Sequence, residues 1–238
     1  MIEELYEEDK KPNEMPIAQY ITNMIGDQII SELSVASIVS TYDATQAGSD
    51  NPDIMKIMNG LNAVTDEIVA DVTNPAFLIP IDAALANDPV AKVNAFERGL
   101  PKGVKISQIL VPADLFDDYV EARETPANEV IDYNAGYRKK TKYGRDLIAV
   151  PGLDKMVAWV DGNLFRLYDR KDNPATIDDV QVQDYLMKIF VQFHLGYDFA
   201  VNQYVFVETS DATKKRGLNN ADQNKLYYPT ELTLTVAP

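Results

Sequence analysis

The chain has 238 residues, enough for one large domain or two small ones, and its composition is that of a folded protein, 46% hydrophobic and 25% charged. The absence of cysteine excludes disulfides, thiol catalysis and thiolate metal sites. The formal net charge of −15 favours solubility and disfavours non-specific binding to nucleic acid or to an anionic membrane.

Residues 1–50 are predicted to form an arm followed by an extended region. Residues 1–14 crowd acidic side chains together, which is typical of a disordered arm, and they lack the basic and apolar regions of a secretory signal. Residues 17–39 begin with helical spacing and become β-branched and small from Val35 to Val39, which predicts a helix followed by an extended piece. Residues 42–49 are predicted to be a polar loop.

The clearest helix is predicted to begin at Asn51. Asn51 is a good N-cap, Pro52 fits the first helical position, and Asp53 suits the positive end of the helix dipole. Apolar residues then follow mostly at three- and four-residue steps as far as Val72. We therefore expect about 20 helical residues and a length of roughly 30 Å, with Gly60 as the weak point.

The middle of the chain is predicted to consist of shorter elements. Residues 76–79 are a connection to Pro80, and short helices are predicted over 81–86 and 88–98. A strand over 105–111 and an amphipathic helix over 113–123 follow. After a polar loop over 125–143, strands are predicted over 146–150 and 156–160. Asp161 and Gly162 then indicate a tight turn, after which 163–168 is expected to return as the second strand of a hairpin.

The longest predicted strand is Tyr185–Phe199, in which every odd position is apolar. That period of two predicts one buried face, and at about 3.3 Å per residue the strand would run roughly 45–50 Å. We expect it to be the backbone of a large sheet or part of an elongated molecule, with Tyr204–Glu208 as a strand beside it. Residues 209–225 are predicted to be a polar loop, and 231–236 a terminal strand.

No catalytic signature is present. The phosphate-binding motifs GxxxxGK and GxGxxG and the nucleophile elbow GxSxG are absent. His194, the only histidine, would need a positioned partner to act as a base or ligand, and a structural role explains it as well. The pairs Asp117–Asp118 and Asp178–Asp179 could bind Mg²⁺ or Ca²⁺, but they lack the spacing of a calcium loop and also fit solvated faces or helix starts. We predict no catalytic residue, no metal site and no cofactor.

Two basic clusters interrupt the acidic sequence. Basic residues interleaved with tyrosines can contact nucleic acid, and a solvated loop would also explain them. In so acidic a chain, contact with an acidic patch on another copy is a better functional hypothesis. The predicted inter-subunit residues are Arg138, Lys139, Lys140, Lys142, Arg145, Lys214, Lys215 and Arg216.

Four segments follow one another in a familiar order over residues 51–208. They are the capped helix at Asn51, ILVPADLFDDYVEAR (109–123), GRDLIAVPGLDKMVAWVDGNLFRLYDR (144–170) and LMKIFVQFHLGYDFAVNQYVFVE (186–208). In this order the chain resembles the HK97-type major capsid proteins of tailed bacteriophages. It departs from the family in lacking an extended β-hairpin, the E-loop, before the helix, and in having a longer tail after Glu208.

The resemblance implies an α+β fold with a long spine helix, peripheral and axial domains, and a long C-terminal β-strand. The expected divisions are an N-terminal arm and extended region (1–50), the spine helix and peripheral helices (51–104), an axial-type α/β domain with the returning long strand (105–208), and a C-terminal loop and strand (209–238).

The resemblance also implies a viral structural protein without enzymatic activity. Copies of the chain would form hexamers and pentamers and assemble, in the host cytoplasm, into the icosahedral capsid of a virion. That shell would enclose double-stranded DNA without sequence-specific binding and without a membrane, and its other partners would be scaffolding, portal or decoration proteins. Two alternatives remain open: a minor head or neck or tail protein of a virion, and a metal-dependent hydrolase that uses the paired aspartates with His194.

Overall fold

The computed structural model describes residues 16–46, 53–124, 138–168, 179–183, 186–190, 195–211, 213–218 and 220–227. In these ranges the helices are α1 (Pro16–Val39), α2 (Leu61–Ala70), α3 (Pro89–Gly99), α4 (Ala113–Glu124) and α5 (Ala221–Tyr227). The strands are β1 (Phe77–Pro80), β2 (Gln108–Pro112), β3 (Arg138–Lys140), β4 (Asp146–Val150), β5 (Val157–Trp159), β6 (Leu164–Tyr168), β7 (Asp179–Gln183), β8 (Leu186–Phe190), β9 (Leu195–Phe199), β10 (Val205–Thr209) and β11 (Gly217–Leu218). The chain is therefore an α+β protein.

A mixed seven-stranded sheet is the centre of the molecule. Its strand order is β11-β1-β10-β5-β2-β4-β3, and two further sheets of two strands pair β6 with β9 and β7 with β8. In the large sheet β1 runs parallel to β10 and β2 runs parallel to β4, while the other neighbouring strands are antiparallel. The sheet takes its strands from three of the four predicted divisions of the chain.

Helices cover both faces of this sheet. Because successive side chains of a strand point to opposite faces, Phe77 joins the core under α3 and α4, whereas Leu78 joins the core under α2. In the first core the rings of Phe77 and Phe206 meet edge to face at 5.3 Å between centroids. The result is a three-layer arrangement in which apolar side chains of α2, α3 and α4 are buried against the two faces of the sheet.

The N-terminal helix continues through the segment predicted to be extended. α1 is one helix of 24 residues and includes Val35 to Val39, so the predicted extended piece is wrong. Leu33 and Ala36 are buried on the body of the protein, and the backbone amide of Ser40 donates to the Ala36 carbonyl at 3.1 Å. The helix penalty of a β-branched residue is only about 0.5 kcal/mol, so tertiary burial overrides it.

The helix predicted from Asn51 is broken at Gly60. Asp53 caps a single 3-10 turn, Ile54–Lys56, and α2 then spans only ten residues from Leu61. The Gly60 amide donates to the Ser40 carbonyl at 2.8 Å, and a Cβ at Gly60 would lie 2.7 Å from the Ala36 carbonyl oxygen. The C-terminal end of α1 therefore occupies the space that a continuous helix through Gly60 would need. Asn51 and Pro52, the predicted cap, lie outside the described residues.

The predicted long strand is divided between two small sheets. Leu186–Phe190 forms β8 and pairs with β7, whereas Leu195–Phe199 forms β9 and pairs with β6. Neither segment belongs to the seven-stranded sheet, so the prediction that this stretch is the backbone of a large sheet is wrong. The closing strand is confirmed as β10, but it lies between β1 and β5 rather than beside this stretch. His194 lies outside the described residues.

The hairpin predicted around Asp161 and Gly162 also does not form. The turn is present, with Gly162 at a φ of 84°, but β6 pairs with β9 and β5 pairs with β2 and β10. Asn163 redirects the chain, because its buried side chain makes two hydrogen bonds of 2.9 Å with the backbone of Val201. Satisfying both backbone groups of Val201 fixes β6 beside β9.

Several local predictions are confirmed, and the predicted loops contain structure. The Asp88 carboxylate caps α3 by accepting from the Ala91 amide at 2.8 Å, and α4, β2, β4 and β5 lie where the pattern placed them. The predicted loop 125–143 includes β3, and the predicted loop 209–225 includes β11 and most of α5. The predicted arm 1–14 and terminal strand 231–236 lie outside the described residues.

Gly60→Ala should destabilise the protein by about 2–4 kcal/mol, because its Cβ would overlap the backbone of α1. Urea unfolding followed by circular dichroism measures this loss. Gly26→Ala is the matched control: it lies within α1 with open space around the new Cβ, and it should stabilise the protein by about 0.5–1 kcal/mol. Equal effects of the two substitutions would contradict the proposed close approach.

Candidate interaction surfaces

The first predicted basic cluster lies at one edge of the seven-stranded sheet. Arg138 and Lys140 are exposed on β3, which is the last strand on that side among those described, and Lys142 is exposed in the turn that follows. Lys140 lies opposite Asp146 on β4, with 3.3 Å between Nζ and Oδ1. The lysine side chain is 74% exposed, so this ion pair contributes less than about 1 kcal/mol. Lys139 is half-buried.

Arg145, a member of the same cluster, is used inside the chain. Its Nη1 lies 3.1 Å from Oε1 of Glu97, and its Nε donates to the Ile106 carbonyl at 3.1 Å. The Glu97 side chain is fully buried and also accepts from the Thr141 hydroxyl at 2.6 Å. Arg145 therefore neutralises a buried carboxylate that ties α3 to the β3–β4 turn. The signal in the sequence was a glutamate within the apolar stripe of a helix.

The second basic cluster divides in the same way. Lys215 is exposed and Lys214 is half-buried, whereas the Nε of Arg216 donates to the carbonyl of Gly99, the last residue of α3, at 2.6 Å. The Arg216 guanidinium also lies 5.7 Å from the centroid of the Phe77 ring. A cation at this helix end is favourable because the dipole is negative there. The structure therefore separates the eight predicted residues into exposed and internal groups.

Of the residues named for the metal-dependent hydrolase alternative, only Asp117 and Asp118 have described side chains. Asp117 and Asp118 are exposed on α4. Within the described residues, no group of three or more histidine, cysteine, aspartate or glutamate side chains could hold a metal ion. The side chains of Asp178, Asp179 and His194 lie outside the description.

A serine, an aspartate and a lysine meet beside the β5–β6 turn. The Ser107 hydroxyl donates to Oδ2 of Asp161 at 2.5 Å, and Lys105 Nζ lies 3.2 Å from the same oxygen. The hydrogen bond from the Ser107 hydroxyl lowers the pKa of Asp161, with the Ser107 amide and Lys105 adding to that effect against some burial. A lowered pKa makes a carboxylate a weaker base, which is opposite to what a catalytic base requires. The cluster therefore stabilises the turn.

An acidic groove of about 600 Å³ lies between α2 and β9. Glu67 of α2 and Asp71, the C-cap of that helix, line one side of the groove. Asp198 of β9 lines the other side. Gln203 also lines it, and its Nε2 donates to Asn74 Oδ1 at 3.3 Å. Sequence reasoning missed this groove because its walls come from distant segments, and no local pattern indicated their contact.

Apolar side chains are exposed along α1. Tyr20 is 69% exposed and Met24 is 54% exposed, and Ile30 and Val35 are also exposed. None of the described side chains from Tyr20 to Glu32 is buried. A contiguous apolar surface can mark an interaction site, whereas single exposed apolar side chains are common.

Within the described residues, no helix combines the length and apolar character needed to span a bilayer. Neither a protein-family model nor a curated protein matches this chain. The fold and these surfaces define an α+β protein with separate basic, acidic and apolar surface regions.

Arg145→Met should destabilise the protein by about 3–5 kcal/mol, because it leaves the Glu97 carboxylate buried without its cation. Lys140→Met removes the exposed partner of Asp146 and should change the free energy of unfolding by less than about 1 kcal/mol. Chemical unfolding of both variants at neutral pH provides the comparison. A small effect of Arg145→Met would contradict the internal role assigned to this residue.

Ser107→Ala should lower the unfolding free energy by about 1 kcal/mol at neutral pH, because a hydrogen bond to a charged carboxylate is lost. The pKa of Asp161 is lowered in the folded state, so this contribution is present above the unfolded value of about 3.9. It is lost as the pH falls through the folded value. The unfolding free energies of the wild type and of Ser107→Ala should therefore converge as the pH is lowered from 7 to 3. In an Asp161→Asn background the Ser107→Ala effect should shrink at every pH, and an unchanged effect would contradict this assignment.

Proposed function

We propose that this protein is a viral structural subunit with an HK97-like fold that self-assembles into an icosahedral head shell enclosing double-stranded DNA. The observation that supports self-assembly best is the exposed apolar surface of α1. Under this proposal the protein is not an enzyme, and its principal partners are other copies of itself.

α1 is long and almost uncharged. Its 24 residues span about 36 Å and include only two charged side chains, Asp27 and Glu32. The described buried residues of the helix, Leu33 and Ala36, both lie near its C-terminal end, where the helix meets α2. A helix that binds a membrane surface has lysine or arginine on its polar face, and α1 has neither. A protein surface is therefore the better partner for this helix.

The HK97-like part of the proposal rests on the segments that carry the resemblance. ILVPADLFDDYVEAR folds as β2 followed directly by α4, and DLIAVPGLDKMVAW folds as β4, a proline–glycine turn and β5. VFVE forms most of β10. The spine helix and the long strand differ from the expectation, since the first is broken at Gly60 and the second is divided between two sheets.

A minor head, neck or tail protein of a virion is the second candidate. The observation that favours it is the length of α2, which has ten residues instead of the roughly 20 expected of a spine helix. Such a protein would form a small ring, or would be present in few copies per particle, instead of forming a closed shell.

Purified full-length protein should form rings or closed shells as its concentration rises, in negative-stain electron microscopy with light scattering on the same sample. Shells would support the first candidate. A discrete ring of fixed size under every salt condition would favour the second candidate. A monomer at high protein concentration across salt conditions would contradict the shell and favour a minor structural role.

Met24→Glu should raise the protein concentration needed for half-maximal assembly at least tenfold, because it places a charge in the proposed α1 interface. A tenfold shift corresponds to a loss of about 1.4 kcal/mol of association free energy per subunit. Light scattering against concentration measures the shift, and the thermal midpoint should stay within 2–3 °C because the side chain is exposed. Val72→Glu is the matched control, since Val72 is 72% exposed outside α1. If the two variants assembled at similar concentrations, α1 would not be part of the interface.

A further inference from the structure

We propose that the surface at the C-terminal end of α3 binds the phosphate backbone of double-stranded DNA. This surface, which we name the cationic patch, consists of Arg98, Lys102, Lys142 and Tyr143. The inference rests on the proposed function for the choice of ligand, and it deepens that function by naming where the wall of the shell would touch its contents.

A contact between α3 and the turn that joins β3 to β4 creates the first half of the patch. Nε of Arg98, near the end of α3, donates to the Tyr143 hydroxyl at 3.4 Å. Lys142 and Tyr143 are both exposed in this turn. The turn therefore brings a lysine and a tyrosine from a distant segment beside the arginine of the helix.

The third cation comes from the loop between α3 and β2, which contains Lys102. This loop lies against the same turn, because Nε of Arg145 donates to the Ile106 carbonyl at 3.1 Å. The Asp146 amide also donates to the Ser107 carbonyl at 2.9 Å. The end of α3, the loop and the turn therefore present their cations on neighbouring parts of the surface.

The described part of the chain leaves these charges available. Arg98, Lys102 and Lys142 are exposed, and none of them makes an ion pair with a described carboxylate. Glu97, the neighbour of Arg98 in α3, is fully buried and its charge is balanced by Arg145. The patch therefore carries three positive charges on the surface of an otherwise acidic chain.

Each member of the patch has a group that suits a phosphate. Because Arg98 uses Nε for Tyr143, its two terminal nitrogens remain for phosphate oxygens, to which a guanidinium can bind in a bidentate manner. The Tyr143 hydroxyl accepts from Arg98 and keeps its own proton to donate, and tyrosine is among the side chains that contact DNA phosphates. Lys102 and Lys142 act as point charges. Contacts of this kind read no bases, so we expect binding without sequence preference.

A phosphate backbone fits this surface better than another copy of the chain does. Gly103 and Gly144 are exposed within the loop and the turn, and a Cβ at either position would have nothing within 4 Å. The surface between the cations is therefore open and has no apolar centre, which a contact between proteins normally requires. Protein–DNA interfaces are instead polar and positively charged, and each neutralised phosphate releases counterions.

The charge of the whole chain makes this contact weak without preventing it. The net charge of −15 repels DNA at long range, but screening limits that repulsion to about 8 Å at physiological ionic strength. Three phosphate contacts give a plot of log K against log salt concentration a slope of about −2.7. A weak, salt-sensitive contact would allow DNA to be enclosed without being immobilised.

Fluorescence anisotropy of a short labelled DNA duplex tests the inference with full-length protein, below the concentration at which light scattering detects assembly. Between about 50 and 200 mM salt the wild type should show the expected slope, and Lys142→Gln should reduce its magnitude by about one. The variant with Arg98→Gln, Lys102→Gln and Lys142→Gln should lose binding. Lys56→Gln is the matched control: it removes a half-exposed cation just before α2, which covers the opposite face of the sheet, and should leave the slope unchanged.

Electron microscopy of the same proteins without DNA separates failure of this inference from failure of the proposed function. Shells formed by wild-type protein that does not bind the duplex, or binds it as well as the triple variant does, would overturn the inference and leave the shell function standing. Triple-variant protein that binds DNA normally but fails to assemble would assign the patch to contact between copies and overturn the inference. DNA binding that depends on the patch in a protein that never assembles would support the inference and contradict the shell.

Discussion

The parallel pairing of β1 with β10 is the contact on which the rest of the structure depends. It joins segments far apart in sequence and buries Phe77 against Phe206 at the centre of one core. The same pair presents Leu78 and Val207 to the other core, so each layer of helices packs on both strands. Because β10 also pairs with β5, removing this strand would separate β1 and β11 from the remaining four strands of the sheet.

Polar contacts at the end of β10 reinforce this junction. The Glu208 carboxylate accepts from the Met156 amide at 3.0 Å and lies 2.8 Å from Nζ of Lys92 on α3. The Ile81 amide, just after β1, donates to the Thr209 carbonyl at 2.9 Å. A nearly buried carboxylate is stable only when hydrogen bonds and an opposite charge compensate for its lost hydration. Glu208 therefore links α3, β5 and β10 at one point.

The sheet depends on pairing between strands that are far apart in sequence. The sequence therefore predicted individual elements better than it predicted their partners. The start of α3 follows from Asp88 and Pro89, which act within one turn, and β4 follows from five consecutive residues. Local chemistry of this kind is sufficient for an element but not for its partner. The alternation in Tyr185–Phe199 indicated strands correctly, yet it contained no information on whether β8 and β9 would pair with one strand or with two different ones.

The surface features were predicted only where a charge pattern was continuous in sequence. The basic run at residues 138–145 was visible, but its division into exposed Arg138 and internal Arg145 depends on Glu97, which belongs to another helix. The acidic groove was invisible because Glu67 and Asp198 meet only after folding. Gly60 was recognised as a weak helical residue, although its physical role is the close approach of the end of α1.

The internal use of two arginines also affects the charge that the protein surface presents to another molecule. A chain with a net charge of −15 repels its own copies, but screening limits that repulsion to about 8 Å at physiological ionic strength. Contact is therefore decided by the charges that lie within a few ångströms of each other. Because Arg145 and Arg216 bind inside the chain, they contribute less to that balance than the exposed cations on β3 and in the turn after it.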